Sequence, residues 1–364
     1  MRIRVFLPFA ALLFTLGCGS NSTAPVNSNA PRSYSGTASV GDFLSITLDP
    51  SAHTLTYTNL SNGDSGTVPY TVNSDGTYAL QDPNGVLVAA YELPNFGMLI
   101  QAAKAGPNHN APALITAVDQ IHNVSISTFA GQGFNMMQFR TQDGGIEAGS
   151  AILDAQGNVT VSDYWPAGVQ YGGNYFKQNA MPATGFTVDP SGTFMTMQPP
   201  GDTGISYVFG TPAGVFAVDT PQGAVIALKK AASKEFDPAN AGTYHAIYYS
   251  KTGENYNWGN GTPGMGNATI VIDASGNITV QDSQGNTFFN TTLTPVADVS
   301  YMYGAGELTD PCYGLFTSRL ANSTSQQDIF VAFMDHAILF GSLTTVVPPA
   351  SNNPYNYVYG VGLK

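Results

Sequence analysis

One turn design recurs along this chain and restricts its fold more than any other feature. Asn73-Ser74-Asp75-Gly76-Thr77, Asp154-Ala155-Gln156-Gly157-Asn158, Asp189-Pro190-Ser191-Gly192-Thr193 and Asp273-Ala274-Ser275-Gly276-Asn277 share it. Each opens on a short side-chain acceptor and then places a glycine. The Asp or Asn closes the turn on its own backbone, and glycine takes the positive-φ position without steric cost. The flanking residues alternate, as in Phe43-Leu44-Ser45-Ile46-Thr47-Leu48, Thr54-Leu55-Thr56-Tyr57-Thr58, Asn158-Val159-Thr160-Val161-Ser162 and Asn277-Ile278-Thr279-Val280-Gln281. A period of two sets one face in a core and the other in water. Alternating runs joined by such turns are antiparallel hairpins, so the fold class is all-β. No long helical stripe is present; the best helical candidate is the short run Lys229 to Phe236.

The hairpins repeat in larger blocks. Tyr70 to Tyr78 (YTVNSDGTY) aligns with Phe186 to Phe194 (FTVDPSGTF), and Ala151 to Val161 (AILDAQGNVTV) aligns with Ile270 to Val280 (IVIDASGNITV). Self-similarity on this scale marks tandem modules. They are placed at residues 34–119, 120–234 and 235–346, with 347–364 as a C-terminal tail or added strand. The first module carries about eight strand-like runs in meander order. Eight antiparallel strands close into a small up-and-down barrel and leave no free edge. A β-propeller, whose blades use similar hairpins, and paired β-sandwiches are the rival architectures.

Composition narrows the function. Only 10% of the 364 residues are charged and the net charge is −12, against the ~25% charged residues usual in soluble proteins. With no basic surface to neutralise phosphates, nucleic acid is excluded as a partner. At the N-terminus Arg2 and Arg4 precede an apolar run from Val5 to Leu16, shorter than the ~20 residues that span a bilayer. It ends in Thr15-Leu16-Gly17-Cys18, which resembles the lipobox of bacterial lipoproteins. That resemblance implies a signal peptide at 1–18, lipid on Cys18 and anchoring in the cell envelope. Gly19 rather than an aspartate after the cysteine implies the outer membrane. Residues 19–33, small, polar and Pro-containing, read as a flexible tether. The other cysteine, Cys312, then has no intramolecular partner and reads as a buried, inert thiol.

Gly242, Thr243 and Tyr244, with Asp273, Gly276 and Asn277, are similar to repeated β-modules of uncharacterised lipoproteins from soil bacteria, and more distantly to avidin- and lipocalin-like barrels. The resemblance implies a barrel fold and names no activity.

Catalytic signals are sparse. His53, His109, His122, His245 and His336 show no ligand-pair spacing, so no metal site is expected. The glutamates are Glu92, Glu147, Glu235, Glu254 and Glu307, and much of the aspartate serves turns, leaving few candidates for paired-carboxylate chemistry. Gly259 to Gly264 spells GxGxxG, but Pro263 and the strand signals after it rule out a dinucleotide loop. No catalytic residue and no cofactor is expected. The strongest functional signal is aromatic: Tyr164, Trp165, Tyr171 and Tyr175 in one insertion, Tyr256 and Trp258 in a Gly/Asn-rich loop. Such rings stack on sugars or anchor a protein; the structural alternative is that they cover open barrel ends. The expectation is a non-enzymatic envelope lipoprotein that binds a polysaccharide or an envelope protein or serves structurally. An envelope hydrolase built from scattered Asp and His, and a carrier using a barrel cavity, are the alternatives.

Overall fold

The computed structural model describes residues 29–81, 85–105, 111–141, 146–165, 175–198, 204–254, 261–298, 312–346 and 355–364. The chain forms three antiparallel meanders. In the first, β1 (Arg32–Ala38), β2 (Asp42–Asp49), β3 (Thr54–Asn59), β4 (Ser65–Val72), β5 (Tyr78–Gln81), β6 (Leu87–Leu93), β7 (Gly97–Ala105) and β8 (Ala111–Asp119) each pair with the next. β8 returns to β1, with Tyr34 opposite Asp119 and Ala38 opposite Ile115, which closes an eight-stranded barrel. The first strand begins at Arg32, so Arg32 and Ser33 belong to the barrel rather than to the preceding tether.

The second module runs through β9 (Gly133–Phe139), β10 (Ile146–Leu153), β11 (Val159–Trp165), β12 (Tyr175–Met181), β13 (Phe186–Val188), β14 (Met195–Met197), β15 (Ser206–Thr211), β16 (Val215–Thr220) and β17 (Gly223–Lys229). The third runs through β18 (Gly242–Glu254), β19 (Thr262–Ile272), β20 (Asn277–Asp282), β21 (Thr287–Thr292), β22 (Thr294–Pro295), β23 (Leu315–Ala321), β24 (Ser325–Met334), β25 (Ala337–Val346) and β26 (Tyr355–Leu363). In each, the last strand pairs with the first, β17 with β9 and β26 with β18. Pairing of first with last strand closes the first sheet and leaves the other two open only between β12 and β13 and between β21 and β22, a meander-barrel plan that displaces the propeller and sandwich alternatives. The C-terminal segment supplies β26, between β18 and β25.

The nine strands of the second and third sheets reduce to the plan of the first. In the first barrel β4 changes partner midway: Ser65–Pro69 pair with β3 and Tyr70–Val72 with β5. In the second module the same strand is broken. β12 pairs with β11, a 3-10 turn at Ala183–Gly185 follows, and β13 pairs with β14. In the third, β21 and β22 divide the strand likewise. A proline marks the point each time, Pro69, Pro182 and Pro295, at intervals of 113 residues. Proline has no N–H to give a ladder, so it sits where a strand leaves one partner for another. In the third module side chains bridge the gap: Thr291 Oγ1 lies 2.6 Å from Ser318 Oγ, and Gln327 Nε2 donates to Phe288 O at 3.0 Å.

The turns follow the sequence. Asp154 Oδ1 accepts from the backbone N–H of Gln156 and Asn158 at 2.9 Å, while Asn158 Nδ2 donates to Asp154 Oδ2 at 2.7 Å. Asp273 with Asn277, and Asp282 with Asn286, repeat the pattern. The asparagine hydrogen bond holds all three carboxyls below their ordinary pKa. The short run Lys229 to Phe236, the best helical candidate in the sequence, forms no helix. Lys229 ends β17, and among the described residues the helical segments are 3-10 turns only. So short a run without an apolar stripe cannot repay helix nucleation.

Each barrel has its own interior core, and a further cluster lies between the barrels. Phe43, Leu99 and Leu114 of the first, Phe139, Phe209 and Ala217 of the second, and Tyr249, Leu339 and Tyr359 of the third meet there. Strands at this junction are buried on both faces, as the runs in β8 and β24 show, while β3 still alternates. Tyr359 stacks on Phe139 and Tyr249, with ring centroids at 4.8 and 5.3 Å. Thr141 Oγ1 lies 2.5 Å from Ser39 Oγ and 3.2 Å from Tyr359 OH, linking all three barrels. Gly360, on the other face of β26, is required inside the third barrel, since a Cβ there would stand 2.3 Å from Ile247 O and 2.5 Å from the Phe340 ring. Thr37 Oγ1 donates to Asp219 Oδ1 at 2.6 Å across the first and second barrels. Burial pushes the Asp219 carboxyl well above its ordinary pKa and nearby Asp42 adds to the rise, outweighing the Thr37 bond. Cys312 is buried in the same cluster.

Candidate functional site

The first barrel is hollow. Its inward positions carry small or aliphatic side chains: Gly36 and Ala38 on β1, Leu44 and Ile46 on β2, Ala90 on β6, Ala113, Ile115 and Ala117 on β8. Strand alternation sends the intervening residues outward, which is why Phe43, Leu99 and Leu114 reach the inter-barrel junction instead. Phenylalanine is missing from the interior cluster of this barrel, whereas the second has Phe129, Phe134 and Phe216 and the third Phe289, Phe316, Phe333 and Phe340.

The space left is a cavity of about 830 Å³. Ile46, Leu55, Val68, Leu80, Val88 and Ile100 form its apolar wall. Its polar rim carries Asp42, Asn59, Asn62, Asp64, Gln81 and Lys104. These rim residues sit at the end of the barrel where β1, β3, β5 and β7 finish. Three exposed apolar side chains, Leu60, Val86 and Leu87, neighbour the rim in sequence. Aliphatic walls with a few polar groups at one end are the usual make-up of a small-molecule site, and the volume falls within the roughly 300–1,000 Å³ such sites occupy.

The opposite end is plugged by a polar cluster. Glu92, on an inward position of β6, is buried. Arg32 Nε and a terminal guanidinium nitrogen donate to its two oxygens at 2.5 and 2.7 Å. Tyr34 OH donates to Oε1, and Tyr78 OH donates to Oε2 at 2.6 Å. Burial works to raise the Glu92 pKa, but the Arg32, Tyr34 and Tyr78 hydrogen bonds together outweigh it and leave the carboxyl below its ordinary value. Burial, reinforced by the Glu92 charge, holds the Tyr34 and Tyr78 phenols protonated far above the usual tyrosine range. A buried ion pair completed by two hydroxyls satisfies the carboxylate on every side. Above it lies a smaller hollow of about 440 Å³, bounded by His53, Tyr70 and Tyr78 with Pro50 and Pro94.

The aromatic residues singled out from the sequence fall elsewhere. Tyr171, Tyr256, Trp258 and Cys18 lie outside the described residues. Tyr164 and Trp165 are in β11 and Tyr175 is in β12, where the backbone pairs Trp165 with Tyr175; their side chains are outside the description. Among the described residues no group of three or more His, Cys, Asp or Glu side chains is placed to hold a metal ion. The sequence left a barrel cavity open as an alternative, but it pointed neither to the first barrel as its place nor to the plug. The available signals were glutamate on an inward strand position and alanine or glycine where a barrel core usually carries bulk.

No family model and no curated protein matches this sequence. Among solved structures, a protein of unknown function of the DUF3598 family from Nostoc punctiforme is similar over 66% of this chain and 99% of its own, at 11% identity and a TM-score of 0.23. A double mutant of transferrin binding protein B from Haemophilus parasuis, a vaccine antigen, is similar over 92% of this chain and 76% of its own, at 8% identity and a TM-score of 0.27. Superpositions this loose establish no shared site.

Proposed function

We propose that this chain is a lipid-anchored, non-catalytic ligand-binding protein of the bacterial cell envelope, and that its first barrel holds a small apolar molecule. The cavity of about 830 Å³, walled by aliphatic side chains and rimmed by polar ones, carries this reading. The apolar wall gives affinity through buried area at roughly 25 cal/mol per Å², and the rim orients the polar end of the ligand. The polar plug keeps the far end of the barrel shut, so the ligand enters and leaves by the rim. The signal sequence ending in Cys18 supports the anchor.

The test uses the Cys18→Ser protein purified from the periplasm. Organic extraction followed by mass spectrometry should release a bound apolar molecule, and the dye N-phenyl-1-naphthylamine should fluoresce on binding. Ala102→Phe, on the cavity wall, should abolish the dye signal and leave the melting temperature nearly unchanged. An empty extract together with dye binding indifferent to Ala102→Phe would rule the carrier reading out. The anchor is checked separately by incorporation of labelled palmitate, which should require Cys18.

A further inference from the structure

The hollow over the Arg32–Glu92 pair lies at the end of the first barrel away from the cavity, and its chemistry is different. Three rings line it in succession: His53 and Tyr70 have centroids 5.7 Å apart, Tyr70 and Tyr78 4.8 Å apart. Pro50 and Pro94 complete an apolar surround, and Arg32 and Glu92 form the floor. The floor decides the charge of any occupant. Arg32 cancels Glu92, and the two guanidinium donors and two tyrosine hydroxyls fill the acceptor sites of the carboxylate. The pair therefore offers neither a cation nor an anion a free counter-charge, and Asp49, whose charge reaches the Tyr70 phenol, is engaged by the Ser51 and Ala52 backbone N–H groups. What remains is a neutral, polar floor under aromatic faces. His53 is exposed at the edge and keeps φ +52, a left-handed conformation in which glycine would be relaxed. An imidazole is thus held over the hollow from a backbone position that does not favour it.

We propose that this hollow is a second binding site, for a neutral sugar ring. The apolar C–H face of a pyranose packs on aromatic and proline surfaces, while its hydroxyls need partners that both donate and accept. The Tyr70 hydroxyl and the His53 imidazole offer both, and the volume of about 440 Å³ suits a small ligand. The site is separate from the cavity: Tyr34, Leu48 and Met98, all fully buried, belong to the interior core at this end.

Saturation-transfer NMR on the Cys18→Ser protein tests this with glucose, galactose, mannose and N-acetylglucosamine as probes, beside inorganic phosphate and tetramethylammonium. At least one neutral sugar should show transfer, phosphate and tetramethylammonium none. His53→Gly, which keeps the backbone conformation, and Tyr70→Phe, which keeps the ring, should each weaken sugar binding about tenfold. Both should leave the melting temperature and N-phenyl-1-naphthylamine binding unchanged, so the result is independent of the apolar-ligand reading. No transfer from any of the four sugars overturns the proposal. So does sugar binding that neither variant alters, or a preference for phosphate or tetramethylammonium.

Discussion

The first and third barrels share one strand plan and differ in what fills them. In the third, Phe289, Phe316, Phe333 and Phe340 meet inside, and the fourth strand is broken at Leu293. In the first, alanine and glycine take many of the inward positions, the fourth strand runs unbroken through Pro69, and a cavity remains. Backbone closure and interior filling are therefore separate properties. Strand pairing builds a barrel, and side-chain volume decides whether it is a core or a container.

The largest expected effect tests that contrast directly. Phe340→Ala should lower unfolding free energy by about 4 kcal/mol, as for a large ring removed from a close-packed core. Leu80→Ala, at the cavity wall of the first barrel, should cost only about 2 kcal/mol, because one side of that residue already lacks partner atoms. Urea titration measures both, and equal losses would mean the two interiors are packed alike.

The polar plug should come next. Glu92→Gln leaves the part-buried Arg32 without its counter-charge and should cost about 3 kcal/mol. Recovering that loss with an apolar plug should require Arg32→Met, Tyr34→Phe and Tyr78→Phe together with Glu92→Leu, so that no donor is left without its acceptor. The sign of the pH dependence follows from the depressed Glu92 pKa. Its contribution is complete above the ordinary carboxylate pKa and fades as pH falls through the lower folded value, so Glu92→Gln should flatten the acid limb of the melting curve.

Asp219 sharpens the comparison with the opposite sign. Its folded pKa is raised, so from about pH 4 upward the unfolded chain releases this proton first and stability falls as pH rises. Asp219→Asn keeps a group able to meet Thr37, and should raise the melting temperature at pH 7 while leaving that at pH 3 unchanged. A variant less stable than the parent at pH 7 would contradict the raised Asp219 pKa. The smallest effect belongs to the exposed turns. Asp282→Ala removes the acceptor for Gln284, Asn286 and the Asn286 amide, yet should shift the melting temperature less than any other change here, with no effect on dye binding.

Much of the fold was legible locally. Asp273-Ala274-Ser275-Gly276-Asn277 encodes its own turn, because the acceptor, the glycine and the asparagine donor lie within five residues. The internal alignments also fall on equivalent elements: Ala151 to Val161 and Ile270 to Val280 are both the hairpin from second to third strand. Lys229 to Phe236, the best helical candidate in the sequence, forms no helix because β9 claims Lys229 as a strand partner. The candidate site was far less visible. Glu92 meets Arg32 across 60 residues and Tyr34 across 58, and nothing near any of them in sequence announces the meeting. His53 read as one isolated histidine, and Arg32 as the end of a tether.

The sequence alone determined what depends on neighbours along the chain: the turns, the alternation, the all-β class and the repetition of a module. Those are set by φ preferences and by a two-residue period, both local quantities. The tertiary structure decided which alternating face points into which barrel, that the outer faces of three barrels share one core, and that the first interior keeps a cavity. Those outcomes depend on the summed volumes of side chains brought together from distant strands, and on a buried charge finding its partner, which no local window contains.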